Sequence, residues 1–256
     1  MKDIREHIIY EDGDICVCHK PSGVLTQSDR GFSQDMVSAL LTYEKKKGNK
    51  APFIAPVNRL DRPVEGLVLY AKNSRAAAAL TKQIANGEVD KCYYAVVNVL
   101  DIEAVERAMR DKKKITLENY LLKDARANMS RVVTEDTEGA KKAVLDYEVL
   151  DVDSDEKKAF LKVKLHTGRH HQIRAQLADV GMPLIGDAKY GAAGLNGDNP
   201  ALCSYRLAFS HPVTKKKLVF ETEPKGKVFE PFVNKNKQSG LRTYYPYGKI
   251  RESGIF

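Results

Sequence analysis

The chain has 256 residues, 43% hydrophobic and 30% charged, a balance that supports a buried core and excludes a disordered or fibrous chain. Its formal charge of +8 favours a polyanionic partner. The longest apolar run, around Gly66 to Tyr70, is far short of the ~20 residues of a membrane span, and Met1 to Glu6 lacks a signal peptide's apolar segment, so a cytoplasmic protein with no membrane contact is expected.

In chain order, His7 to His19 reads as two strands, because the Asp-Gly turn in Glu11-Asp12-Gly13-Asp14 stands between Ile8-Ile9-Tyr10 and Ile15-Cys16-Val17. Strand alternation puts Cys16 and Cys18 on one face. With Cys92 and Cys203 they are too few and too scattered for a disulfide framework or a four-thiolate zinc site, and they are expected as reduced core residues. Gly31 to Lys47 carries Phe32, Met36, Leu40, Leu41 and Tyr43 at near-helical spacing, which predicts an amphipathic helix. Ile54 to Val57 and Leu67 to Tyr70 are β-prone runs on either side of a polar connection, Asn58 to Gly66.

Asn73-Ser74 caps an Ala-rich helix to about Asn86, and Cys92 to Val97 returns to strand. Alternation continues in Ile115 to Leu122, Ala143 to Val152 and Phe160 to Leu165. Thr167-Gly168 caps a segment in which Ile173, Leu177 and Val180 share a face, so Arg169 to Val180 is predicted as a helix stopped by Gly181 and Pro183. Ala201 to Phe209 and Lys217 to Thr222 are the last strands. With no internal repeat and no Ser/Gly linker, the pattern predicts one α+β body on a long, mainly antiparallel sheet flanked by helices.

From Thr214 to Phe256 there are ten Lys or Arg against four Glu, a surplus of six. Phe229, Phe232, Tyr244, Tyr245 and Tyr247 are interleaved with them. Cations and aromatic faces together suit RNA, and a solvated, frayed tail is the alternative.

Three clusters could carry chemistry. Arg59-Leu60-Asp61-Arg62 sets a carboxylate between guanidiniums, which keep it ionised as a base or nucleophile, although a surface ion pair in a turn has the same composition. Thr167-Gly168-Arg169-His170-His171-Gln172-Ile173-Arg174 lies at a predicted helix start, where amides and Arg169 attract an anion and where His170 and Arg174, four apart, share a face. Rings on consecutive helical residues diverge by about 100°, so His170 and His171 do not suit one metal ion, and no metal is expected. In Lys91-Cys92-Tyr93-Tyr94-Ala95, alternation puts the two tyrosines on opposite faces.

Together these segments resemble the RluA-type family of pseudouridine synthases. Asn58-Arg59-Leu60-Asp61-Arg62-Pro63-Val64-Glu65-Gly66 through Ala71-Lys72 matches the family's His-Arg-Leu-Asp loop and following strand. Lys91 to Ala95 matches its Lys-x-Tyr-x-Ala motif, and Thr167 to Arg174 its Thr-Gly-Arg-Thr-His-Gln-Ile-Arg motif. Lys20-Pro21-Ser22-Gly23, Gly181 to Gly191 and His211-Pro212 continue the likeness in order. The departures are Asn58 for His, Val64-Glu65 for Thr-Ser and His170 for Thr.

The resemblance implies isomerisation of uridines in ribosomal or transfer RNA to pseudouridine, without cofactor or metal, by a monomer lacking the N-terminal S4-type domain of some relatives. It implies a catalytic domain over residues 1–223 and a basic, aromatic extension over 224–256. It assigns Asp61 as the essential carboxylate, Tyr93 as the tyrosine against the target base, and Arg174 as the arginine that pairs with the aspartate. Ile173 packs on the uracil, and Arg59, Arg62, Arg169, His171 and Gln172 are the further substrate-binding positions. Two other readings stay open: an inactive RNA-binding module of the same fold, and a hydrolase using Asp61 and Glu65 as a carboxylate pair.

Overall fold

The computed structural model describes residues 3–28, 35–191 and 199–238. It contains one mainly antiparallel sheet of eleven strands flanked by a few helices, so the expected α+β class is borne out. The residues group into two compact units, one formed up to Asp90 together with Ser204–Pro224, the other by Lys91–Cys203 together with the segment from Lys225. Among the described residues no helix is long and apolar enough to cross a membrane.

In the first unit, β1 (Ile8–Glu11) and β2 (Ile15–Lys20) form the expected hairpin, with Tyr10 opposite Val17. The Asp12 carboxylate makes the turn by accepting the Asp14 and Ile15 amides, both at 2.8 Å. β2 pairs with β4 (Glu65–Ala71), which also takes the short β3 (Ala55–Pro56). Both β2 and β4 are buried along their whole length, as strands covered on both faces are. β10 (Leu202–Ser210) and β11 (Lys217–Glu221) complete the unit's strands, with Leu207 opposite Phe220.

Two helices belong to this unit. α1 (Met36–Lys46) is capped by Asp35, which accepts the Ser38 amide at 2.8 Å; the expected start at Gly31 lies outside the described residues. α2 (Ser74–Ala85) is capped by Asn73 as predicted, and its Ala76 and Leu80 are fully buried with Leu67, Leu69, Phe209 and Phe220. At the head of β4, Gly66 has φ +119, and a Cβ there would lie 2.4 Å from the Ser204 carbonyl oxygen. Only glycine fits so close a backbone approach.

The second unit has the strand order β5 (Asp90–Asn98), β9 (Lys158–Leu165), β8 (Lys141–Asp153), β6 (Lys114–Asp124), β7 (Met129–Val133). Residues directly paired across an antiparallel ladder share a face. Tyr93 is paired with Val163, Val163 with Tyr147, Leu145 with Leu117, and Ala143 with Asn119, so these line one face. α4 (Gln172–Asp179) covers that face: Ala175 packs on Leu121 and Ala143, and the Gln176 amide donates to the Asn119 side chain at 2.7 Å.

Tyr94 faces the other way and meets Phe160 at 5.0 Å between ring centroids. Phe160 in turn stacks on Phe232 of α5 (Glu230–Gln238) at 5.5 Å and meets Phe229 edge-on. Phe229 and Phe232 are therefore core residues and do not present RNA-stacking faces, contrary to the sequence-based expectation. Tyr244, Tyr245 and Tyr247 lie outside the described residues. The sequence pattern also gave no sign of α3 (Ile102–Arg110), β7 or α5, and it placed the start of α4 three residues early.

Candidate active site

In the first unit the Asp61 loop is tied down from below. Lys20, at 0% exposure, donates from Nζ to the carbonyls of Pro21 (3.0 Å), Val24 (2.7 Å) and Arg62 (3.1 Å). The Thr26 hydroxyl donates to the Leu60 carbonyl and accepts the Leu60 amide, both at 3.1 Å, and Ser22 donates to the Pro63 carbonyl at 2.6 Å. Arg62 donates from Nε to the Gly23 carbonyl while its own carbonyl accepts the Gly23 amide. Inside this frame the Asp61 carbonyl accepts the Val64 amide at 3.0 Å, closing a turn that leaves Asp61 half-buried and Arg59 and Arg62 exposed. Asn58, where the family has His, bonds the Leu67 carbonyl and the Leu69 amide and so fastens the loop to β4.

Glu65 is buried, with Oε2 3.5 Å from Nε2 of the equally buried His19, whose Nδ1 lies 3.0 Å from the Thr222 hydroxyl. Burial pushes the Lys20 ammonium down to about 8, against the opposing pull of Asp61 and Glu65. Below about 8 the native state therefore carries the full cost of this charge, and the cost is relieved as pH rises towards the ordinary ~10.4. Opening the loop returns Lys20 to water, so hydrogen-exchange protection of the Gly23 amide, corrected for intrinsic rate, is expected to rise as pH increases from about 8. A flat corrected profile across that window would refute the anchor.

In the second unit Arg174 is 4% exposed and grips Asp187 side-on, with Nε to Oδ2 and Nη2 to Oδ1 both at 2.7 Å. Asp187 Oδ1 also accepts the Lys189 and Tyr190 amides, and the Tyr190 ring lies 5.1 Å from the guanidinium carbon. Burial alone would raise the Asp187 carboxyl, but the Arg174 fork and the two amides outweigh it and hold it below the usual range. Ile173 is buried beside Arg174, on the helix that covers the Tyr93 face.

His170 and His171 precede the helix, so the expectation that His170 shares a helical face with Arg174 is not met. His171 adopts the left-handed conformation at φ 50, which lays its ring on that of His170 at 3.8 Å. His170 bonds Ser130 Oγ (2.9 Å) and Asn128 Oδ1 (3.1 Å), and His171 Nδ1 bonds the Tyr190 hydroxyl. Gln172 is spent internally: Oε1 accepts from Thr167 and from the Arg169 amide, and Nε2 donates to the Val144 carbonyl and Gln176. This clasp replaces the cap expected at Thr167-Gly168. Arg169 is exposed and donates from Nε to the Lys142 carbonyl at 2.8 Å.

One trio among the described residues, Asp12, Asp14 and His211, brings potential metal ligands within 4.8 Å of one another. His211 Nδ1 accepts the Val213 and Thr214 amides, so Nε2 carries the proton and donates to Asp12 Oδ2 at 3.0 Å. The imidazole is committed to clasping two turns together.

The fold is that of pseudouridine synthases: the human RNA Pseudouridylate Synthase Domain Containing 4 superposes with a TM-score of 0.69 over 92% of this chain and 93% of its own, at 18% identity. Residues 14–179 match the family model described as RNA pseudouridylate synthase, and the chain belongs to that family. It is 32% identical to an uncharacterized RNA pseudouridine synthase of Aquifex aeolicus, covering 96% of this chain and 76% of that one. It is 28% identical to the ribosomal large subunit pseudouridine synthase D of Zymomonas mobilis, covering 87% and 70%. The protein is thus an RNA isomerase, and the inactive binding module is not favoured.

The structure places Asp61 in the first unit and Tyr93, Ile173 and Arg174 in the second. Sequence reasoning gave no role to Lys20 or Asp187, although each stands within a segment that carries the family likeness.

Proposed function

We propose that this enzyme uses Asp61 as its essential carboxylate, Tyr93 against the target base and Arg174 as the orienting cation. The observation that carries this reading is the anchoring of the Asp61 loop by Lys20, Thr26 and Ser22. A surface ion pair in a turn needs no buried ammonium beneath it, whereas a base or nucleophile must be held within a fraction of an ångström of its working position.

The reaction breaks the bond from C1′ to uracil N1, turns the base and rejoins it through C5, whose proton leaves while N1 takes one up. A carboxylate at the sugar can attack the base or C1′ or take the C2′ proton, and a tyrosine at the base can assist departure of the C5 proton. Arg59, Arg62 and Arg169 are exposed and suited to phosphate or sugar contacts. The target uridine must leave its stack, which loops and single strands make least costly.

The substrate is ribosomal or transfer RNA, with the similarity to a large-subunit enzyme favouring the former. With unmodified RNA tritiated at uracil C5, the protein is expected to release tritium to water and no free base. Release of uracil would instead favour the hydrolase reading. Pseudouridine mapping of cellular RNA with and without the gene identifies the site.

A further inference from the structure

Lys91 is the second residue of the strand that carries Tyr93 and, two residues from that tyrosine, stands on the same face, the one that α4 covers. Its side chain is half-buried, and among the described residues no hydrogen bond or ion pair engages it. Its Nζ lies beside the chain at Gly168, 3.4 Å from where a Cβ on that residue would be. Gly168 and Arg169 are exposed, so this end of the face opens to solvent. Burial alone pushes the ammonium below its ordinary range, with no carboxylate opposing it.

An ammonium that loses water without gaining a counter-ion is a standing cost to the fold. Lys20, which is fully buried, fills three carbonyls, and Arg174 is matched by Asp187. Lys91 has no such match among the described residues, while an RNA substrate carries a phosphate on either side of each internal nucleotide. We propose that Lys91 is a phosphate-binding residue, taking a backbone phosphodiester of the RNA next to the uridine whose base meets Tyr93. It is a positioning contact that fixes the register of the strand, and it carries no base specificity. The inference rests on RNA as the ligand and on Tyr93 marking the base, but not on the role of Asp61.

The test uses the full chain with a single-stranded, uridine-containing oligoribonucleotide, binding being measured over a series of salt concentrations. Lys91→Met keeps the alkyl stem and removes the charge. It is expected to weaken binding several-fold at low salt and to reduce the log–log salt slope by about 0.7, the share of one phosphate contact on a single strand. Lys91→Arg should keep the wild-type slope. Lys91→Met should also melt no lower than wild type, since it deletes an unpaired, half-buried charge.

An unchanged slope in Lys91→Met would overturn the proposal. So would a clear fall in its melting temperature, which would mean that the ammonium is satisfied within the fold. Inorganic phosphate that binds Lys91 without competing with the oligoribonucleotide would mark an anion site off the RNA path, and the proposal would fall with it. Binding is read without turnover. A wild type that releases no tritium would therefore sink the catalytic reading and leave this one standing.

Discussion

Asp61→Asn is expected to abolish tritium release from RNA labelled at uracil C5, a loss of roughly 10⁴-fold or more, because no neighbouring group restores a missing base or nucleophile. The substitution keeps size and shape. The turn around Asp61 is closed by its backbone carbonyl on the Val64 amide, and the loop is tied down through Lys20, Thr26 and Ser22, so the chain path has its own supports besides the carboxylate. The variant should melt close to wild type and still bind RNA. Tritium release within tenfold of wild type would remove Asp61 from the chemistry and return it to the standing of a surface ion pair.

Asp187→Ala is expected to be the most damaging single change to stability in the second unit. It strips a 4%-exposed guanidinium of both its side-on bonds to Asp187, at a cost of about 3–5 kcal/mol. For a chain of this size that corresponds to a melting-temperature loss of about 6–20 °C. The folded carboxyl lies below its ordinary range, so the contribution is full above the unfolded pKa of ~3.9 and disappears as pH falls through the folded value. The stability difference between variant and wild type should therefore shrink in acid. A variant as stable as wild type at neutral pH would mean that Arg174 is held chiefly by other groups.

These two residues mark what could be read from the sequence. Asp61 was legible because it sits in a contiguous motif whose neighbours, Arg59 to Gly66, appear in fixed order. The partnership of Arg174 with Asp187 was not, because a helix residue meeting a loop residue thirteen positions later leaves no periodic trace. Lys20 is similar, reaching the Arg62 carbonyl across 42 positions.

Among the elements, the hairpin, β4, α2 and the long strands followed from alternation, capping and turn chemistry. α3 escaped because only Val105 and Ala108 of its nine residues are buried, a stripe too thin to stand out among its charges, although Asp101 is an ordinary N-cap. α5 was obscured by its lysines. Phe229 and Phe232, three apart, were a helical core signal set among charges that suggested a partner outside the fold.

Neither unit is continuous along the chain, and this has a consequence for synthesis. A ribosome delivers the first ninety residues, then the whole of Lys91–Cys203, and only then the return segment that carries β10 and β11. Until Phe209 and Phe220 emerge, Leu67, Leu69 and Leu80 of the nascent chain lack those packing partners, and Phe160 must wait longer still for Phe229 and Phe232. Closing such distant segments is slow, and the apolar surfaces stay open meanwhile. The nascent polypeptide is therefore expected to be most prone to aggregation just before β10 and β11 are made, when the largest apolar surface awaits its cover.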